Sequence, residues 1–158
     1  MGQKVHPKSL RLKINTIWDS SWFAGKKNYA SMVLQDINLR TFLTKKFKDS
    51  GVSKVFIERN AGKIQVTLHT AKPGLIIGRQ GTQIDELRES LKKEYGNIEI
   101  TVKEIKKPEL DAAIVGDSIG RQIERRVAFR RAAKQAVSKA ISSGAKGVKV
   151  ILSGRLNG

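Results

Sequence analysis

The first periodic stretch of apolar residues covers residues 29–48 and predicts a helix. Its apolar positions fall into two sets at helical spacing, which are Ala30, Val33, Leu34 and Ile37, and then Leu39, Leu43 and Phe47. Because the second set is shifted in phase, we expect a break near Asn38. Residues 1–16 precede this helix with basic side chains and few apolar ones, which predicts an extended arm that orders on binding, the alternative being a floppy, solvated tail.

Alternation with a period of two predicts three strands. Their apolar positions are Val55 and Ile57 in the first, Ile64, Val66 and Leu68 in the second, and Ile98, Ile100 and Val102 in the third. Asn60-Ala61-Gly62 separates the first two strands and predicts the turn of a β-hairpin. His69 falls at an outward position of the second strand, where we expect an ordinary polar side chain.

Two helices are predicted between the second and third strands. Pro73 suits the first position of a helix whose apolar body, residues 75–77, is only about one turn long. The longer helix covers residues 82–95, with Ile84, Leu87 and Leu91 on one face. Thr82 is expected to cap it with Asp85 as a weak capping-box partner, and Gly96 is placed to end it.

The last third of the chain follows Lys106-Lys107-Pro108, which resembles a linker because proline disfavours both helix and sheet here. Residues 111–143 carry two helical stripes, which are Ile119, Ile123 and Val127, and then Phe129, Ala133, Ala136 and Ala140. The rotation between the stripes predicts two helices, or one kinked helix, with the change near Ala128. Gly144 closes the stretch, and Val148, Val150 and Leu152 alternate as a final strand.

The composition points to a polyanionic partner. The chain has 31 Lys and Arg against 14 Asp and Glu, a net charge of +17 and a pI of about 10.4. Nucleic acid is the commonest polyanion in a cell, although lysines that only maintain solubility are the alternative. Cysteine is absent, which excludes disulfides and thiolate metal sites. No apolar run approaches the roughly 18 residues of a membrane span, and the basic residues 1–13 lack the apolar segment of a secretory signal.

A Gly-x-x-Gly loop joins the two middle helices. Gly78, Arg79, Gln80 and Gly81 would let a sugar-phosphate backbone approach closely, and the following helix N-terminus offers free N–H groups to an anion. Arg79 adds a full positive charge to the loop. The alternative interpretation is that the two glycines only permit a tight turn and that RNA binds elsewhere. The order helix, strand, strand, helix, loop, helix, strand resembles a prokaryotic-type KH domain, in which this loop clamps single-stranded RNA.

A second cationic constellation lies in the last third of the chain. It contains seven basic residues and a single acidic one, Glu124. The basic residues are Arg121, Arg125, Arg126, Arg130, Arg131, Lys134 and Lys139. Arg130, Arg131 and Lys134 are neighbours on a helix, where like charges repel unless phosphates lie opposite. The alternative is a solvated face paired with acids elsewhere. Further phosphate contacts are expected from Lys4, Lys8, Arg11 and Lys13 of the arm and from Lys72.

The other side chains offer little chemistry. His6 and His69 are far apart, and no cluster has metal-ligand spacing, nor does a GxxxxGK[ST] phosphate loop occur. Without paired carboxylates or a nucleophile and base, we expect no enzyme and no cofactor. Trp18, Trp22 and Phe23 precede the first helix, where they would anchor the arm on the domain or, alternatively, stack on bases.

Longer segments resemble the family of bacterial-type small-subunit ribosomal protein S-three over essentially the whole chain. They are Met1-Gly2-Gln3-Lys4-Val5-His6-Pro7, Trp22-Phe23-Ala24, His69-Thr70-Ala71-Lys72-Pro73-Gly74, Lys107-Pro108-Glu109-Leu110-Asp111-Ala112, Glu124-Arg125-Arg126-Val127-Ala128-Phe129-Arg130-Arg131-Ala132, Gly144-Ala145-Lys146-Gly147-Val148-Lys149-Val150 and Ser153-Gly154-Arg155-Leu156. The resemblance implies a mixed α/β (α+β) protein divided into a basic arm (1–16), a KH domain (17–106), a linker (107–110) and a partial second domain of two helices and a strand (111–158). Members of the family continue beyond the position of Gly158 with more strands.

The resemblance also implies a role. Such proteins bind ribosomal RNA in the head of the small subunit near proteins S-ten and S-fourteen, and with S-four and S-five they form the channel through which messenger RNA enters. Arg130, Arg131 and Lys134 match the residues that face messenger RNA, which leaves the arm and the KH domain for ribosomal RNA. The expected location is a cytoplasmic ribosome, with an organellar one still open. A free KH regulator or RNA chaperone is the alternative function.

Overall fold

Four strands form one mixed sheet in the order β1-β2-β3-β4. This computed structural model describes residues 2–60 and 62–156. The strands are β1 (Ser20–Ser21), β2 (Val52–Asn60), β3 (Lys63–Thr70) and β4 (Asn97–Glu104), and the helices are α1 (Pro7–Arg11), α2 (Lys26–Lys46), α3 (Gly74–Ile77), α4 (Thr82–Tyr95), α5 (Ala112–Glu124) and α6 (Phe129–Ser142). β2 and β3 are antiparallel, while β1 with β2 and β3 with β4 are parallel. The predicted mixed α/β class and the hairpin are confirmed.

The main core lies on one face of the sheet. The apolar residues that alternate along β2, β3 and β4 are buried there, except Val102, which is half-buried. They pack against Leu39 and Leu43 of α2, Ile76 of α3, and Leu87 and Leu91 of α4. The predicted inward positions are therefore confirmed, since burying alternate side chains is what a half-covered sheet requires.

The predicted break near Asn38 is wrong, because α2 runs without interruption for 21 residues. Only the second apolar set faces the sheet. In the first set, Leu34 and Ile37 remain 60% and 53% exposed, so their different phase places them on another side of the same helix. The phase shift between the two apolar sets therefore distinguishes the side of α2 that faces the sheet from a side that is exposed.

The arm is not simply extended, because Pro7–Arg11 form a short helix within it. Pro7 occupies its first turn, where a fixed φ and a missing N–H are tolerated. The Lys8 ammonium pairs with the Asp19 carboxylate, and an isolated bridge joins Leu12 to Thr16. No residue of α1 is buried, so the segment is held by these local contacts and not by a hydrophobic core.

The last third folds as two helices on a smaller core. α5 ends at Glu124 and α6 begins at Phe129, which confirms the predicted change near Ala128, and Arg126 in the turn has a φ of 62°. The core consists of Ile119, Ala132 and Ala136. Its partly buried neighbours are Val115 and Ile123 of α5, Val127 of the turn, and Val150 and Leu152.

The predicted final strand is wrong, because residues 148–152 have no strand structure. Val150 and Leu152 still turn inward against the small core, as their alternation suggested. A strand also needs a neighbour to bond its backbone, and the described residues beyond Glu104 form no other strand.

A capped helix start joins the two parts of the chain. The Asp111 carboxylate accepts hydrogen bonds from the Ala113 and Ile114 amides at 3.0 and 3.2 Å, which caps α5. The other carboxylate oxygen of Asp111 accepts from the Ser53 hydroxyl of β2 at 2.6 Å. The Ile114 side chain, only 8% exposed, lies beside Gly51 at the start of β2. One acid therefore both starts α5 and ties it to the sheet.

Candidate nucleic-acid interface

The loop between α3 and α4 needs glycine at its first position. Gly78 has φ 75° and ψ −177°, a combination that only glycine adopts readily. A Cβ built there would lie 2.7 Å from Cγ of Gln83 and 3.1 Å from its backbone nitrogen. Both the backbone conformation and the close approach of α4 therefore require the missing side chain.

The remaining loop residues project outward. Arg79 to Gly81 form a single 3-10 turn, and Gln80 has a positive φ of 53°. The side chains of Arg79 and Gln80 are both exposed. The sequence-predicted loop residues thus form one contiguous surface in which two glycines flank a cation and an amide.

The predicted cap of α4 is wrong. Gly81 is the N-cap, with a φ of 85°, and Thr82 is already helical. The Thr82 hydroxyl donates to the Arg79 carbonyl at 3.0 Å, and Asp85 pairs with Arg88 at 2.6 Å. No side chain of the described residues caps α4, so its first N–H groups point at the loop and favour an anion there.

A second cationic surface forms at the start of α6. Arg130, Arg131 and Lys134 line one shallow depression together with Gln135 and Ser138. The three cations are exposed, and none takes part in the ion pairs found among residues 2–60 and 62–156. The structure therefore brings the predicted cluster together and leaves it uncompensated.

This cluster lies at the N-terminus of α6, a feature that the sequence reasoning missed. Arg130 and Arg131 lie in the first turn, which has no acidic residue. The positive end of a helix dipole disfavours cations by about 0.3–1 kcal/mol each. The free amide groups of that turn and the two guanidinium groups therefore all contribute positive electrostatic potential at the start of α6. This positive potential could have been predicted from the sequence, because the predicted start of the helix is rich in arginine and free of acids.

The other predicted cations of this region differ in their surroundings. The Arg121 guanidinium lies 2.9 Å from Asp117 and 3.8 Å from Asp49, and it donates to the Lys48 carbonyl at 3.3 Å. It already holds α5 against the turn before β2. Arg125 and Arg126 are exposed in the turn that leads into α6, so they extend the cationic surface.

The predicted contacts of the arm are exposed. Lys4, Lys8, Arg11 and Lys13 all have exposed side chains, as does Lys72 before α3. The ammonium group of Lys8 is shared with Asp19, and Arg11 Nη1 lies 3.4 Å from the Pro7 carbonyl. Lys8 is therefore partly neutralised, while no ion pair of the described residues involves the other basic side chains of the arm.

A buried carboxylate fixes the segment before α2. Asp36 is 5% exposed and accepts from Trp22 Nε1 at 2.7 Å, the Ser20 hydroxyl at 3.0 Å and Arg59 Nη2 at 2.6 Å. The anchoring interpretation is confirmed for Trp22, whereas Phe23 is 94% exposed. Sequence reasoning missed this network, since a lone acid on a helix gives no sign of which distant residues it meets.

Two kinds of feature are absent from the part of the chain that the structure describes. In the ranges 2–60 and 62–156, no three His, Asp or Glu side chains come together in a group that could hold a metal ion. Within the same part of the chain, no helix is long and apolar enough to cross a membrane.

Both halves of the chain match known protein families. A family profile described as KH domain matches residues 38–110, and one described as Ribosomal protein S3, C-terminal domain, matches residues 119–158. The chain is 49% identical to Small ribosomal subunit protein uS3 of Carboxydothermus hydrogenoformans over its whole length, and it covers 72% of that relative. The chain belongs to the uS3 family. It is 50% identical to uS3 of Psychromonas ingrahamii, of which it covers 69%, and 49% identical to uS3 of Bacillus cytotoxicus, of which it covers 72%.

Membership of the uS3 family makes the chain an RNA-binding protein of the small ribosomal subunit, which in bacteria belongs to the cytoplasmic ribosome. The loop of Gly78–Gly81 lies inside the KH match, and Arg130, Arg131 and Lys134 lie inside the match to the S3 C-terminal domain. The two cationic surfaces thus fall in separate halves of the chain.

Proposed function

We propose that the chain is a structural constituent of the head of the small ribosomal subunit, where it binds ribosomal RNA and helps guide messenger RNA into the subunit. The observation that carries the second part is the uncompensated cluster of Arg130, Arg131 and Lys134. Exposed cations that lie together without acids suit a moving phosphate chain, because they attract the backbone without reading its bases.

The Gly-x-x-Gly loop serves the ribosomal RNA in this proposal. Gly78 and Gly81 keep the backbone accessible, the start of α4 supplies N–H donors, and Arg79 supplies charge. The exposed lysines and Arg11 of the arm, Lys72, Arg125 and Arg126 add phosphate contacts. Arg121 contributes less, since its guanidinium group already meets two carboxylates.

The proposed neighbours are proteins S-ten and S-fourteen in the head and S-four and S-five at the messenger channel. They follow from the family to which the chain belongs. The role is one of binding, with no catalytic step and no cofactor, which agrees with relatives that are named as ribosomal proteins. Any separation of messenger strands is passive, driven by translocation against the cationic surface.

Crosslinking tests the assignment of the α6 cluster. Small subunits would be isolated from cells that express either the unaltered chain or Arg130→Ala with Lys134→Ala, and programmed with a messenger that carries 4-thiouridine downstream of the decoding site. We expect the double variant to enter subunits normally and to lose most of its crosslinks to the messenger. Lys92→Ala with Lys93→Ala, in the last turn of α4, removes the same charge and is the control.

Three results would contradict the proposal. Unchanged crosslinking of the double variant would remove the α6 cluster from the messenger path. An assembly defect in that variant as large as the defect from deleting residues 1–16 would contradict the division of labour between cluster and arm. If the unaltered protein sedimented only at the top of a sucrose gradient, the free KH regulator would be favoured instead.

A further inference from the structure

The face of the sheet opposite the main core carries an ordered set of polar and cationic side chains. Cross-strand pairing places Lys54 of β2 beside His69 of β3, and His69 beside Lys103 of β4. The next row joins Phe56 to Thr67 and Thr67 to Thr101. All these side chains are exposed or half-buried, while the apolar residues that alternate with them, such as Val55, Leu68 and Ile100, face the core.

The basic row is electrostatically unbalanced. Adjacent strands lie about 4.8 Å apart, so the two lysine backbones are separated by about 10 Å with the imidazole between them. No ion pair found among residues 2–60 and 62–156 involves Lys54 or Lys103. Partial burial, and then the charges of Lys103 and Lys54, lower the pKa of His69, whereas Asp111 before α5 raises it. Two positive charges on either side of one strand repel each other, and a phosphate bound between them would be attracted to both.

An aromatic ring lies next to this row. The rings of Phe56 and His69 meet edge to face, with centroids 5.2 Å apart and an interplanar angle of 75°. The hydroxyls of Thr67 and Thr101 continue the Phe56 row across the sheet. Cations beside a half-buried aromatic ring on an open sheet suit single-stranded nucleic acid, whose phosphates seek charge and whose bases stack on rings.

We propose that this face of the sheet is a further RNA-contact surface, in which Lys54, His69 and Lys103 bind a backbone phosphate and Phe56 stacks on the adjacent base. The contact is short, since the following row contains Glu58, whose carboxylate repels phosphate, and Glu99, which pairs with Lys63 at 2.7 Å. The inference rests on the proposed RNA-binding role and adds a surface that neither the Gly-x-x-Gly loop nor the α6 cluster includes.

The test compares matched losses of charge. Binding of a fluorescein-labelled 20-nucleotide oligouridylate would be measured by anisotropy over a range of salt for the full chain, for Lys54→Gln with Lys103→Gln, and for the control Lys92→Gln with Lys93→Gln. Each phosphate contact on single-stranded nucleic acid contributes about 0.7 to the salt slope, so losing two lowers the slope by about 1.4 and weakens binding about 25-fold at roughly 0.1 M salt. The control should change much less.

Separate variants distinguish this surface from the loop. Arg79→Asp with Gln80→Asp probes the loop alone, so a loop effect without a sheet effect overturns only the present inference, and the reverse result overturns only the role of the loop. Equal affinity and slope for the sheet variant and its control would refute the proposal. Phosphate binding should also raise the pKa of His69, followed by NMR with oligouridylate present, and an unchanged value would equally count against it. If an acidic peptide but not the oligouridylate raised this pKa, the surface would be a protein contact.

Discussion

Replacing Gly78 by alanine should lower the free energy of unfolding by about 3 kcal/mol, of which the strained backbone conformation supplies roughly 2 and the contact with Gln83 roughly 1. The structure supports both terms, since φ is 75° and the added Cβ would lie 2.7 Å from Gln83 Cγ. Gly81→Ala is the matched control. It also has a positive φ, 85°, but its nearest atom would be 3.8 Å away, so we expect about 1 kcal/mol.

Urea unfolding followed by circular dichroism measures both changes. With a slope of about 2 kcal/mol per molar urea, the midpoint should fall by about 1.5 M for Gly78→Ala and about 0.5 M for Gly81→Ala. Adding Gln83→Ala to Gly78→Ala should recover only part of the loss, because the Gln83 backbone nitrogen would still lie 3.1 Å from the new Cβ. Equal midpoints for the two single variants would refute the argument from close approach.

Three further predictions concern other sites. Asp36→Asn should lower the free energy of unfolding by about 3–5 kcal/mol in urea titrations, because it leaves the half-buried Arg59 guanidinium without its counter-charge, and a loss below about 1 kcal/mol would argue against a structural pair. Arg79→Asp with Gln80→Asp should weaken RNA binding in filter assays without altering the circular dichroism spectrum, and unchanged affinity would remove the loop from the interface. Since the pKa of His69 is lowered, its contribution to stability is fully present above about pH 6.5 and is lost as the pH falls through the folded-state pKa. His69→Gln should flatten this part of a stability profile measured by urea at several pH values, and an identical profile would disprove the linkage.

Local chemistry made the middle of the chain predictable. The hairpin of β2 and β3, the bounds of α4 and its end at Gly96 agree with the structure, since each follows from alternation, helical period or a glycine that must adopt positive φ. The predicted turn of this hairpin includes Ala61, which lies outside the described residues. The loop of Gly78–Gly81 was found for the same reason, because its glycines lie between two strongly patterned elements.

The wrong or missing predictions concern features for which the sequence alone does not say which residue takes which conformation or partner. The alternation of residues 148–152 correctly indicated which side chains turn inward, yet it carries no information on whether a neighbouring strand is present. The cap of α4 depended on which residue takes positive φ, and Gly81 displaced Thr82. Asp36 could not be assigned to Trp22 and Arg59, since those contacts join three elements that only the fold brings together.

The short connection through Asp111 has a consequence for affinity. Because Asp111 both caps α5 and accepts a hydrogen bond from Ser53, the two halves that carry the proposed RNA contacts are held by a short connection. Once one half is bound, the other meets RNA as an intramolecular partner, at an effective concentration in the millimolar range for short connections. Two individually weak contacts can then act as one tight one, provided that the RNA presents both targets at the spacing the chain dictates. The protein would therefore select folded RNA by the distance between its phosphates, even though neither half reads a base sequence through charge alone.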